Sequence, residues 1–351
     1  MDRPNEKLLR SCAARLIPWY RSVRRELPWR DHPTPYQVWI SEIMLQQTRI
    51  EAVIPYYARF LAELPDVAAL AEVPEDRLLK LWEGLGYYSR ARNLKKAAQL
   101  VMDEYGGALP RTAAELRRLP GIGDYTAGAV ASIACGEPEP AVDGNVLRVL
   151  MRVTACADDV LSQKTKSRVA EELRAVYPSG EDAGLLTEGL MELGETVCLP
   201  NGEPRCEACP LHALCLARER GLTAELPRRS PKKERRIEEK TVLLLRCDGL
   251  YALRRRGETG LLAGMWEFPS LPGKRSAGEV RTALEEAGLS PDQIRPCGEA
   301  KHVFTHVEWH MSGFFVDCSG QSGEYVWKRP DEIRAGFAVP TAFKAYLKLL
   351  K

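Results

Sequence analysis

The chain has 351 residues, enough for two or three domains, with 45% apolar and 28% charged residues. That composition belongs to a globular protein and excludes a wholly disordered chain, a collagen-like repeat or a bare disulfide scaffold. The formal net charge is only +2, so any binding to a polyanion has to come from local patches rather than from a global field. No apolar run approaches the roughly 20 residues of a membrane helix. The first 20 residues carry scattered charges and no apolar core of a signal peptide, which predicts a chain kept in a reducing compartment.

In chain order, residues 5–218 read mostly as helices. Apolar residues at 43, 50, 54, 57 and 61 form a helical stripe over 41–61, and 75–83 and 90–105 repeat the pattern. Residues 112–119 and 125–135 read as two helices joined by Pro120-Gly-Ile-Gly-Asp124. Residues 145–153, 164–176 and 184–197 are further helices. The character changes near 219. Residues 226–240 are polar, with six basic residues between 228 and 236, and read as a solvated tether or a strip along a nucleic-acid backbone. Beyond them, Thr241–Arg256 reads as two strands about an Asp248-Gly249 turn. Residues 276–289 read as a helix ending at Gly288, and 301–316 as a loop and strand. The second domain is therefore α+β.

Four local patterns carry chemistry. Cys198, Cys206, Cys209 and Cys215 fall within one short, proline-rich stretch. Four thiolates so placed can enclose a zinc ion or an iron–sulfur cube, and the unequal gaps favour the cube. In Leu119–Gly128, Gly121 and Gly123 let the backbone turn tightly, so that N–H groups at the start of the next helix can hold a phosphate oxygen. Asp143 in Val142-Asp-Gly-Asn-Val146 is placed as a helix N-cap, where a carboxylate stays ionised. Glu42 stands in the apolar run Val38–Leu45. On its own it reads as a first-turn helix charge.

Taken with Pro28-Trp-Arg30, Ser41–Thr48, Trp82–Asn93, Thr259–Pro269 and His302–His306, these patterns resemble the adenine DNA glycosylases of the MutY type. The resemblance implies a multi-domain fold: an all-α helix-hairpin-helix glycosylase domain over 1–218 with an iron–sulfur loop at 198–215, a basic linker at 219–239, and a MutT-like (Nudix-like) α+β domain over 240–351. It implies double-stranded DNA carrying adenine opposite 8-oxoguanine or guanine as substrate, with the adenine flipped out of the stack. It further implies one 4Fe-4S cluster on the four cysteines, a monomer, and a bacterial cytoplasmic, nucleoid-associated setting without membrane. Glu42 is then the acid that protonates the leaving adenine, and Asp143 the carboxylate that stabilises the oxocarbenium-like sugar or its covalent intermediate. Tyr125 and Asn145 support that transition state, and Arg30 and Glu188 contact adenine. Gln47 and Tyr87 enter the stack beside 8-oxoguanine, which Phe304-Thr305-His306 reads. Gly121 and Gly123 take the DNA backbone.

Two features depart from the family. The first cysteine gap holds seven residues, Leu199–Arg205, where six are usual, and Thr305 replaces a serine. An endonuclease III-type glycosylase/lyase is the nearest rival, but it needs an amine where this chain has Tyr125. A non-catalytic damage binder would need neither Glu42 nor Asp143. Within Arg281–Leu289 only Glu285 and Glu286 remain of a nucleotide pyrophosphatase helix. That is too few hard ligands for metal-dependent hydrolysis, so both read as solvated charges.

Overall fold

A computed structural model of the chain describes residues 5–231 and 234–351; Lys232 and Lys233 of the basic run lie outside the described residues. The helical part comprises α1 (Glu6–Val23), α2 (Pro35–Leu45), α3 (Ile50–Glu63), α4 (Val67–Glu72), α5 (Glu75–Leu81), α6 (Ser89–Tyr105), α7 (Ala113–Leu116), α8 (Asp124–Cys135), α9 (Gly144–Val153), α10 (Gln163–Arg174), α11 (Glu181–Thr196) and α12 (Leu216–Glu219). The remainder is β1 (Arg236–Cys247), β2 (Leu250–Arg255), β3 (Trp266–Glu267), β4 (Ser270–Pro272), α13 (Ala277–Glu286), β5 (Pro291–Val303), β6 (Val307–Cys318), β7 (Val326–Lys328), α14 (Pro330–Gly336) and α15 (Lys344–Leu347).

The chain divides into two compact units: Met1–Glu72 with Asn93–Pro231, and Val73–Arg92 with Lys232–Lys351. The first unit is helical. Its core gathers Leu16 of α1, Val149 and Leu150 of α9, Val169 of α10, and Leu190 and Leu193 of α11. Local chemistry sets the helix starts. Thr34 and Gln37 form a capping box at α2 with Pro35 in the first turn, and the Asp143 carboxylate caps α9 by accepting from the Val146 N–H at 2.7 Å. These contacts satisfy backbone donors that have no partner inside the helix.

The second unit holds a sheet in the order β3-β2-β1-β6-β5. β1 and β6 run parallel, while β1–β2 and β5–β6 are antiparallel. Asp248 and Gly249 both take left-handed backbone, as the tight β1–β2 hairpin demands. Residues 73–92 belong to this unit. The Lys80 ammonium donates to the Phe337 carbonyl at 3.1 Å, and the Val339 N–H donates to Glu83 at 3.0 Å.

Four expectations change. The stripe over 41–61 is two helices, because Gln47 adopts a left-handed φ of 59° between α2 and α3. Residues 301–303 are strand, the end of a long β5 that sequence pattern missed; β5 pairs with β6 from Pro291 to Val303. The first part of the linker is not a free tether. Leu226 is buried, its carbonyl accepts from Arg152 at 2.8 Å, the Arg228 carbonyl accepts from the Val160 N–H at 3.2 Å, and Ser230 bonds Asp159. Glu42, finally, is no first-turn charge: it sits late in α2 and is buried.

Candidate active site

In the first unit, α2, α8 and the start of α9 bring three of the expected residues together. Glu42 is 6% exposed, and the Tyr125 hydroxyl, from the first turn of α8, donates to its carboxylate. Burial pushes the Glu42 carboxyl up from 4.5 to about 7. The Tyr125 bond and Arg30 pull it down, while the charges of Asp143 and Glu188 push it further up. Tyr125 itself is held well above its ordinary value, by burial first and then by Glu42 and Asp143, so it stays a neutral donor.

Asp143 caps α9 and accepts a second bond from the Asn145 amide at 2.9 Å. Burial raises its carboxyl, against the lowering effect of the Val146 and Asn145 donors and of Arg148. The N-cap position alone suggests a depressed carboxyl; desolvation reverses the direction. Gly128 makes room for this arrangement. A Cβ there would lie 2.3 Å from the Pro140 carbonyl oxygen, so only glycine lets α8 approach the Pro140–Ala141 backbone that leads to Asp143.

Arg30 and Glu188, the expected adenine contacts, lie side by side. The guanidinium lies 3.7 Å from Glu188 and 2.8 Å from Glu192, and 5.5 Å above the Tyr20 ring. Burial raises Glu188; Arg30 and the Tyr20 hydroxyl lower it. Sequence reading missed Tyr20 and Glu192. It also missed Arg148, which donates to Asn145 at 2.7 Å and to the Cys198 carbonyl at 2.8 Å. A usable signal was there: a charge amid the buried run Val146–Val153 needs partners.

At the hairpin, Gly121 has a φ of 78°, and a Cβ would press to 2.6 Å from Asn93, whereas Gly123 faces open space. No side chain caps the start of α8. Gln47, the expected wedge residue of the first unit, is exposed between α2 and α3.

Cys198, Cys206, Cys209 and Cys215 line one cavity together with Leu193, Val197, Leu211 and Arg152. None is in a disulfide. The Arg152 guanidinium donates to Cys198 Sγ at 3.3 Å. Burial pushes the Cys209 thiol up to about 12, with the charges of the other three cysteines adding to the rise. The seven-residue gap is absorbed by an exposed bend around Gly202, closed by the Arg205 N–H on the Val197 carbonyl at 2.9 Å.

The second unit carries the remaining candidates. Phe304-Thr305-His306 is the β5–β6 turn. The Phe304 ring packs on buried Trp309 with centroids 4.9 Å apart, and Thr305 and His306 are exposed. The Tyr87 and Thr305 hydroxyls share a 2.7 Å hydrogen bond. On α13, Glu285 lies 3.8 Å from Arg281 and Glu286 is exposed. Among the described residues, the four cysteines included, no three His, Cys, Asp or Glu side chains are close enough together to share a single metal ion.

Comparison with known proteins adds two family matches. Residues 40–179 match the HhH-GPD superfamily base excision DNA repair protein family, and residues 241–349 match the NUDIX domain. Human adenine DNA glycosylase is 34% identical over 95% of this chain and 73% of its own length. The adenine DNA glycosylase of Buchnera aphidicola subsp. Acyrthosiphon pisum is 30% identical over 86% of this chain and 85% of its own. Among solved structures, a thermostable thymine-DNA glycosylase is 27% identical, with a TM-score of 0.54, over 62% of this chain and 100% of that one. Endonuclease III in a non-covalent DNA complex is 27% identical, with a TM-score of 0.52, over 63% of this chain and 99% of that one.

Proposed function

Because this chain belongs to the adenine DNA glycosylase family of base-excision-repair enzymes, we propose that it hydrolyses the glycosidic bond of adenine mispaired with 8-oxoguanine or guanine in double-stranded DNA, with Glu42 as acid. The carrying observation is the buried Glu42 carboxyl, bonded by Tyr125 and beside Asp143. Adenine leaves poorly as an anion, so a proton has to reach its ring as the bond breaks. A carboxyl held near 7 by burial is protonated often enough to give that proton at neutral pH. Asp143 faces the sugar as a carboxylate and stabilises the positive charge that develops there or bonds to it covalently. Asn145 fixes the Asp143 carboxylate and Tyr125 fixes that of Glu42. Arg30 and Glu188 hold the flipped base. Gln47 and Tyr87 fill the stack beside 8-oxoguanine, Phe304, Thr305 and His306 read it, and the turn at Gly121 and Gly123 takes the phosphate backbone.

The four cysteines fit one 4Fe-4S cluster. The donor set is all sulfur around one cavity, and Arg152 offers positive charge to deprotonated thiols. When bound, the cluster supplies four iron–thiolate links that tie the 198–215 loop together. No helix among the described residues is long and apolar enough to cross a membrane.

The test is a panel of duplexes carrying adenine opposite 8-oxoguanine, adenine opposite guanine, or thymine glycol, each treated with alkali after incubation. Cleavage at adenine in the first two and none at thymine glycol is expected. Cleavage at thymine glycol without alkali would favour the endonuclease III-type reading instead.

A further inference from the structure

We propose that Arg90 is the positioning residue that presents Tyr87 to DNA. This rests on the reading of Tyr87 as the aromatic that enters the stack beside the lesion. Tyr87 sits in a difficult stretch of backbone: Gly84, Gly86 and Tyr87 have φ values of 107°, 70° and 47°. Two glycines adopt such values freely, but a bulky aromatic does so only when its surroundings hold it there. Tyr87 is also 47% exposed, its hydroxyl bonded to Thr305, so core packing does not hold it.

What holds the loop is a buried guanidinium. Arg90 is 9% exposed. Its Nη2 donates to the carbonyls of Leu85 and Gly86, each at 3.0 Å, and its Cζ lies 5.4 Å from the Trp82 ring centroid and 5.6 Å from that of Tyr87. Trp82 Nε1 donates to the same Gly86 carbonyl at 3.2 Å, and the Arg90 N–H closes the turn on the Tyr87 carbonyl at 2.9 Å. One planar cation therefore fixes the two peptides before Tyr87 and lies against its ring. Burial lowers the Arg90 pKa to about 10, so the group stays charged at neutral pH. It is too enclosed to act as a phosphate contact. Lysine can replace the charge but not the planar fork or the stacking, and a loop ordered before DNA arrives loses less freedom on binding.

The experiment measures binding of the full chain to a duplex in which 8-oxoguanine is opposite 2′-fluoroadenosine, whose glycosidic bond resists cleavage, with the guanine duplex as control. The variants are Tyr87→Leu, Arg90→Met, Arg90→Lys and the double variant Tyr87→Leu/Arg90→Met. Loss of one base–aromatic stack corresponds to roughly 5- to 150-fold. Tyr87→Leu should fall in that range, with Arg90→Met and Arg90→Lys close behind. The double variant should be no weaker than Tyr87→Leu alone, because Arg90 acts through Tyr87. The slope of affinity against salt should not change in Arg90→Lys or Arg90→Met. Fully additive losses in the double variant, or parental affinity in Arg90→Lys, would overturn the proposal, since the first indicates general destabilisation and the second a need for charge alone. Should Arg90→Met fail to fold by circular dichroism, Arg90→Lys and its double with Tyr87→Leu carry the same comparison. Parental affinity in Tyr87→Leu would overturn the stacking role of Tyr87 and this inference with it. A loss in Tyr87→Leu with none in the Arg90 variants would overturn this inference alone.

Discussion

At the scale of single residues, the two carboxylates differ in a way that predicts distinct phenotypes. Asp143 caps α9 and, in the proposed reaction, faces the sugar. Asparagine caps as well as aspartate but carries no charge. Asp143→Asn should therefore keep the melting temperature within a degree or two while single-turnover adenine release drops by about 10²–10⁴-fold. A variant that melts early and loses activity in proportion would make Asp143 structural. Glu42 should show the opposite coupling. Its carboxyl is raised from 4.5 to about 7 in the folded chain, so the folded state holds this proton more tightly than the unfolded one. Stability from that site is fully present below about pH 4.5 and is lost as pH rises through about 7, by at most about 3 kcal/mol. Glu42→Gln has no such proton to lose and should gain on the parent in melting temperature between pH 5 and pH 8; parallel profiles would contradict the buried, raised carboxyl. Of the site, Asp143 and the four cysteines were legible from local pattern; Glu42 reads as an ordinary helix charge until the family resemblance gives it a role, and Tyr125, Asn145, Arg30 and Glu188 come from that resemblance alone. Of the neighbours that tune them, Arg148 lies three residues from Asn145 on α9 and left a signal in its apolar run, whereas Tyr20 and Glu192 come from α1 and α11 and meet the site only in the folded core.

At the scale of elements, helix positions were readable from apolar spacing, and their ends from signals such as the N-cap Asp143 and the terminal Gly288. Two features escaped. The break at Gln47 has no glycine or proline to announce it, although its backbone is left-handed. β5 alternates weakly, since it lies at the sheet edge and most of its side chains are exposed. The hairpin and its following helix offer a clean contrast between two glycines. Gly128→Ala would force a Cβ to 2.3 Å from the Pro140 carbonyl oxygen and should destabilise by about 1–3 kcal/mol, displacing Asp143. Gly123→Ala meets nothing within 4 Å and has no left-handed φ, so it should fold normally. If the α8 N-terminus takes the DNA backbone, its added methyl should still weaken binding to undamaged duplex. Equal melting temperatures for the two variants would refute the close approach of α8 to Pro140.

At the scale of the whole molecule, the candidate residues separate by unit. Glu42, Asp143, Tyr125, Asn145, Arg30, Glu188 and the four cysteines belong to the first; Tyr87, Phe304, Thr305 and His306 belong to the second. The inclusion of 73–92 in the second unit was illegible, because that stretch reads as one more helical segment of the N-terminal part. Its partners, Phe337 and Val339, lie about 250 residues downstream. A chain ending near Gly221 would lose Leu226 and its bond to Arg152, so the better truncation ends at Pro231. Such a chain retains both carboxylates but leaves Lys80 and Glu83 without their partners on 337–339. We expect it to excise adenine with a lowered melting temperature. Its preference for adenine opposite 8-oxoguanine over adenine opposite guanine should fall roughly 5- to 150-fold, the range for losing readout of one base. Undiminished preference in that chain would move the reader into the first unit, with Gln47 the next candidate.

Glu42, raised by burial, is proposed as the acid that releases adenine. The most direct measurement is the single-turnover rate of adenine release from a duplex with adenine opposite 8-oxoguanine, at saturating full-length protein, from pH 5 to pH 9, for the parent and for Glu42→Gln. The acid has to be protonated to act, so the parent rate should fall tenfold per pH unit above about 7, and Glu42→Gln should be slower by about 10²–10⁴-fold at neutral pH while still binding the duplex. A parent rate that stays level from pH 6 to pH 9, or a Glu42→Gln variant that matches it, would contradict the assignment.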